Sequence, residues 1–303
     1  MTTGMRRAGA GLALLGLLLA GCASVPETHP PTGGRYEELY DGKSKVAYAT
    51  EFPVATFGEA EKRGDQAARA ADLDLALYHY IQALDLKPGH ANTLFKVGSI
   101  HRIRNNDRLS ALAFQMALKS EPKHTAALEG LGLLLLDARQ YDEAREALQK
   151  VARQDQNRWA AQNGLGVLAD LKGEYGAAAE RYRKAQKLNP SSAMVANNLA
   201  YSLYLDGQID SAIAMLKMAL NLDPSFQRAW MNLGLMYTRK GSYEEALAAF
   251  KRVMDEPEAY NNIGYICLLE GRKEEAERFL RRAIDQSPTF FVAASENLKR
   301  VTR

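Results

Sequence analysis

From residue 57 onward, apolar and small residues return every three or four positions, in stretches of about a dozen residues. That is the spacing of one face of an α-helix. Each stretch ends at glycine, proline or a short polar break, and the whole arrangement recurs. Pro88, Pro122, Pro190 and Pro224 stand 34 or 68 residues apart. On that period a small residue of one helix falls at Gly64, Gly98, Gly132, Gly166, Ala200, Gly234 and Gly264. A small residue of a second helix falls at Ala76, Ser110, Ala144, Ala178, Ala212, Ala246 and Ala276. Two antiparallel helices approach closely only where side chains are small, so the expectation is that the glycine of the first meets the alanine of the second. Gly207, Gly241 and Gly271 mark the turn between them, and proline closes the second helix because it lacks an N–H. The pattern predicts an all-α chain of helix pairs.

The frame places repeats at 57–90, 91–124, 125–158, 159–192, 193–226, 227–256 and 257–290. The first is the weakest, with Ala60 and Ala67 where larger residues stand elsewhere. The third ends in Gln156 in place of proline. The sixth is four residues short, about one helical turn, and its second helix is expected to be clipped at Met254, with Pro257 opening the next unit. Residues 291–303 carry an amphipathic stretch, Phe291–Val301, expected to cap the last repeat, because a terminal unit must cover its apolar face. The copy Trp230-Met-Asn-Leu-Gly234-Leu-Met-Tyr237, followed by Ala246 and Phe250, resembles the tetratricopeptide repeat at six positions. The resemblance implies a right-handed superhelical solenoid of about seven helix pairs plus a C-terminal capping helix.

The N-terminus follows a different rule. Arg6 and Arg7 precede the apolar run 11–21, too short to span a bilayer but suited to a secretory signal peptide. Leu19-Ala20-Gly21-Cys22 resembles a bacterial lipobox, which implies cleavage before Cys22 and acylation of that residue. Ala23 and Ser24 follow, which by resemblance to the enterobacterial sorting pattern implies the periplasmic face of the outer membrane. Residues 1–21 are then signal peptide and residues 22–56 a lipidated cysteine with a flexible tether, interrupted by Pro26, Pro30, Pro31, Gly33, Gly34, Gly42 and Pro53. Within it Tyr36, Leu39, Tyr40, Val46 and Tyr48 are expected to pack weakly on the first repeat.

Charge and composition exclude more than they identify. Thirty-nine Lys+Arg against thirty-six Asp+Glu gives +3, which argues against a protein that binds by neutralising phosphates. Two cysteines make neither a disulfide scaffold nor a four-thiolate zinc site. His29, His79, His90, His101 and His124 lie without metal-ligand spacing. Gly130-Leu-Gly132 sits in a helix-pair pattern rather than after a strand, so it is not a dinucleotide loop. Cys267 occupies a core position, and Glu244-Glu245 and Glu274-Glu275 open second helices, where they complement the helix dipole. The reading is of a protein that is not an enzyme and needs no cofactor beyond the lipid on Cys22.

The tetratricopeptide resemblance further implies that first helices line a concave groove for a partner segment. The matching positions are Asn163, Val167, Leu171, Asn197, Tyr201, Tyr204, Leu205, Met231, Leu235, Asn261, Tyr265, Leu268 and Leu269, with Leu133 and Leu136 extending them. Asn163, Asn197, Tyr201, Tyr204, Met231, Asn261 and Tyr265 are the candidate partner-binding residues. Apart from Arg228 and Arg239 the surface is not basic, so an amphipathic helix or extended segment is the expected ligand rather than a free carboxylate terminus. Asp255-Glu-Pro257-Glu-Ala-Tyr260-Asn-Asn-Ile-Gly264-Tyr265, Ala283-Ile-Asp-Gln-Ser-Pro288 and Glu296-Asn-Leu298 resemble the TadD family of repeat lipoproteins in Flp/Tad pilus assembly. That resemblance implies a pilotin that binds the pilus secretin and other assembly components. A type IV pilus pilotin, and an adaptor for peptidoglycan hydrolases or envelope-biogenesis machinery, are the alternatives.

Overall fold

The computed structural model describes residues 35–41, 54–287, 289 and 291–301. Among these residues are fifteen α-helices, one 3₁₀ turn and no strand. The helices form antiparallel pairs: α1 (Phe57–Arg69) with α2 (Leu73–Leu86), α3 (Ala91–Ile103) with α4 (Asp107–Ser120), and α5 (Thr125–Asp137) with α6 (Tyr141–Gln154). Next come α7 (Trp159–Asp170) with α8 (Tyr175–Leu188), α9 (Ala193–Leu205) with α10 (Ile209–Leu222), and α11 (Gln227–Lys240) with α12 (Tyr243–Phe250). The pair α13 (Glu256–Leu269) and α14 (Lys273–Gln286) precedes a single last helix, α15 (Val292–Val301). Each pair packs on the next in chain order, which makes a solenoid. Second helices begin at Leu73, Asp107, Tyr141, Tyr175, Ile209 and Tyr243, 34 residues apart each time, and then at Lys273 after 30.

In the second pair the glycine meets the small residue as expected, Ser110 donating to the Gly98 carbonyl at 2.8 Å, but the tightest glycine contacts are made with larger side chains. A methyl built on Gly98 would lie 2.6 Å from the ring of Phe114, and one on Gly166 would lie 2.6 Å from Tyr182. The partner is thus a large residue four positions beyond the small one, and the buried alanines fill the space beside it. Gly130 of the following repeat presses on the same Phe114 ring from the other side, also at 2.6 Å, and Leu148 is held likewise by Gly132 and Gly164. Phe114 and Leu148 are each a wedge between two glycines, so each ties its own pair to the next.

The turn inside each pair is built on one left-handed residue. Gly173, Gly207, Gly241 and Gly271 have φ of +73° to +82°, and the equivalent places in the first three repeats hold Ala71, Asn105 and Arg139 at +57° to +61°. In the sixth repeat the second helix stops at Phe250, four residues before the expected Met254. Residues 251–254 instead wind through turns, with Val253 and Met254 both donating to the Phe250 carbonyl. Asp255 caps α13 by accepting from the Glu258 amide at 2.8 Å, and Pro257 sits in its first turn, where no N–H is needed. Helix α15 packs on α13 and α14 and buries Ala294 and Val301.

Part of the expected tether is a packed element. Residues Glu37–Leu39 form the 3₁₀ turn, and Tyr36 and Leu39 are buried in the core of the first repeats. The Gly89 amide donates to the Tyr36 hydroxyl at 2.6 Å, and the Leu39 carbonyl lies 2.8 Å from His101 Nε2. Arg104 donates to Asp41 at 2.6 Å and pairs through its other nitrogen with Asp74. This strap runs from the α2–α3 loop to the α3–α4 turn, against α4. The expected signal peptide, Cys22, Val46 and Tyr48 lie outside the described residues. No described helix is long and apolar enough to cross a membrane.

Candidate functional site: the groove of first helices

First helices line one face of the stack, and there a cleft of about 1360 Å3 runs from the second repeat into the sixth. Its walls follow the repeat. The fifth place of each first helix contributes Phe95, Glu129, Asn163 and Asn197. The ninth contributes Ser99, Leu133, Val167 and Tyr201, and the thirteenth Ile103, Asp137 and Leu205, with Leu171 at the same register just past the end of α7. Places four apart share a helix face, so three rows run side by side along the solenoid. One row is rich in amides and the other two are largely apolar.

The amide row is joined across repeats. Asn198 donates to Asn163 at 3.1 Å, Asn232 to Asn197 at 2.9 Å, and Asn297 of α15 to Asn261 at 3.0 Å. Asn163 and Asn197 are nearly covered, at 7% and 2% exposed, and each uses its carbonyl oxygen in the pair. Asn198 and Asn232 also line the cleft. They stand one place beyond the residues chosen from the sequence, and nothing in a single repeat distinguishes the two places. Only the cross-repeat pairing does.

The other candidates divide by exposure. Tyr201 lines the cleft at 41% exposed, with its ring 6.0 Å from that of Tyr204. Tyr204 itself packs partly into the core, lies under the Arg239 guanidinium at 5.1 Å, and is not a lining residue. Met231, at 47% exposed, stands at the end of the cleft between the lining residues Arg228 and Asn232 without lining it, and Tyr265, beneath Arg300 at 5.7 Å, and Asn261 lie farther along the solenoid. Leu133, Leu136, Val167, Leu171 and Leu205 line it as expected, and Trp159 and Met194 add apolar surface.

Charges at the groove are mostly neutralised within the wall. Arg158 holds Glu129 at 2.5 Å, and Arg239 holds Glu270 at 3.2 Å. Tyr182 donates to Asp170 at 2.8 Å, and burial raises the Asp170 carboxyl above the usual range. Arg228 lines the cleft near Asn232. Cys267 is buried with its sulfur 3.9 Å from the Tyr243 hydroxyl, and burial raises its thiol pKa, so it carries little thiolate. Among the described residues no group of three His, Cys, Asp or Glu is arranged to hold a metal.

A model of the tetratricopeptide repeat matches residues 102–157, 129–193 and 197–257, and a second model of the same repeat matches 257–290. The chain belongs to the tetratricopeptide repeat family. No curated protein matches it. Among solved structures, a tetratricopeptide repeat protein from Parabacteroides merdae ATCC 43184 superposes with a TM-score of 0.54 at 18% identity, over 82% of this chain and 99% of that one. YrrB, a tetratricopeptide repeat protein described as having an unusual peptide-binding site, gives 0.50 at 23% identity, over 62% of this chain and 99% of that one. Pseudomonas aeruginosa pilF gives 0.53 at 15% identity, over 68% of this chain and 96% of that one. At these identities the likeness is one of fold, the fold of a protein-interaction scaffold.

Proposed function

We propose that this chain is a non-catalytic assembly factor, held by a lipid on Cys22 at the periplasmic face of the outer membrane. It receives a segment of the Tad pilus secretin in its groove. The observation that carries the binding part is the side-by-side course of an amide row and two apolar rows over several repeats. Such a surface takes an amphipathic helix or an extended segment, apolar residues against Tyr201, Leu171 and Leu205 and backbone or polar groups against the asparagines. The likeness to YrrB supports a peptide as the ligand class. The pilotin part rests on the resemblance of residues 255–298 to TadD-type sequences, and the anchor on Leu19-Ala20-Gly21-Cys22. No cofactor other than the lipid enters this reading.

In-cell crosslinking of the full chain, followed by mass spectrometry, tests it. Recovery of a Tad secretin is the expected result. Recovery of a type IV pilus secretin, or of cell-wall hydrolases without any secretin, would move the same groove and anchor to a different machine.

A further inference from the structure

The strap shows what the outer face of this solenoid can bind. Residues 36–41 lie across α3 and against α4, with Leu39 fully buried and Asp41 held by Arg104. The solenoid carries a counterpart of the strap's groove at its other end. Between α12 and α14 it is open, a cavity of about 460 Å3 lined by Tyr243, Leu247, Tyr260, Phe279, Arg278 and Arg282.

Place by place in the repeat, the apolar floors of the two grooves correspond, while the strap's polar holders do not, since His101 and Arg104 become Cys267 and Glu270. Leu77, Leu94 and Ala113 of the first become Leu247, Tyr260 and Phe279 of the second, so the floor stays apolar. Leu112 and Met116, which pack beside the strap's core, become Arg278 and Arg282. The Arg278 guanidinium lies over Phe279 at 4.6 Å and Tyr243 at 5.7 Å, and that of Arg282 over Tyr260 at 5.8 Å. Rings beneath them hold both cations in place and strip part of their water, which strengthens a pairing with an incoming carboxylate. Neither has a carboxylate partner among the described residues. Glu244 and Glu245 on the first turn of α12 form the opposite rim, so an acidic group is directed to the α14 side.

We propose that the α12–α14 groove is a second docking surface, separate from the groove of first helices. It takes a short segment of a partner protein bearing a leucine or aromatic anchor for the ring floor and a carboxylate for Arg278 or Arg282, side chains that the strap also carries in Leu39 and Asp41. The proposal does not depend on the pilus reading.

The test uses a fluorescent, end-blocked peptide of the strap sequence Arg-Tyr-Glu-Glu-Leu-Tyr-Asp, titrated with the full chain, whose own strap stays in place. Saturable binding is expected, weakened about tenfold by R278E with R282E and untouched by Y201A with M231A in the other groove. Both arginines are exposed, so the variant folds, and its helical melt checks that. Three outcomes would overturn the proposal. One is no saturation. Another is binding indifferent to R278E with R282E that improves when L39A loosens the resident strap. The third is self-association abolished by R278E with R282E, which makes a second copy the occupant.

Discussion

Arg139 carries a backbone conformation that four of its six counterparts give to glycine. At φ of +61° its Cβ crowds the following carbonyl, at a cost of about 1–2 kcal/mol. Glycine removes that cost but gives back part of it as extra freedom in the unfolded chain. Arg139→Gly is therefore expected to stabilise by roughly 0.5–1 kcal/mol, read as a higher Tm, and Asn105→Gly by less, because asparagine tolerates this region. A second prediction concerns protons. Burial lowers the pKa of His101, outweighing the Leu39 carbonyl and the nearby Asp41, which raise it; Arg104 and Arg108 lower it further. Burial lowers His79 as well, against the raising effect of Gln82. Both folded values then lie below the unfolded value of about 6.5, and the unfolded chain binds more protons in that window. Stability is expected to fall as pH drops through about 6.5, and His101→Gln, which keeps a donor for Leu39, should flatten the fall. A melt independent of pH between 7 and 5 would contradict this.

Packing between elements depends on the wedge residues. Phe114 is 1% exposed and touches Gly98 and Gly130 at once. Gly130→Ala puts a methyl 2.6 Å from the ring, so ring or helix must shift, and a loss of about 1–3 kcal/mol is expected in a denaturant melt. The strap is an element in the same sense. Leu39→Ala empties a fully buried site and is expected to cost about 2–5 kcal/mol, felt by the first repeats and not the last, because a solenoid's repeats feel only their neighbours. Hydrogen exchange resolved along the chain would show whether the loss is confined to α1–α4.

At the scale of the whole molecule the solenoid carries two faces with different chemistry: amides and apolar side chains on first helices, aromatic rings under arginines on the outer side near α12 and α14. If the groove of first helices holds the partner, Tyr201→Ala with Met231→Ala weakens capture by tenfold or more, since aromatic anchors dominate such interfaces, and leaves the melt in place. Tyr204 is a poorer choice, because it is partly core and its removal would confuse binding with stability. Cys22→Ser is expected to leave a folded protein free of the membrane, as cell fractionation would read.

The repeat, its register and the capping helix were legible in the residues, because a 34-residue period with small residues at two fixed places admits few packings; of the groove candidates, Asn163, Asn197 and Tyr201 line the cleft. Helix starts follow that period from Leu73 to Tyr243. What each glycine touches was not legible, since Gly98 and Gly130 meet on one ring only after two pairs have stacked. Nor was the end of α12 at Phe250, which the turns leading to the Asp255 cap decide. The strap was hidden for a similar reason: Tyr36, Leu39 and Asp41 lie in a proline- and glycine-rich stretch with no period, and their partners Gly89, His101 and Arg104 are some fifty to sixty residues away. Local order is written in spacing along the chain. Contacts across repeats exist only once successive pairs have stacked, and the asparagine pairs and both outer grooves belong to that second kind.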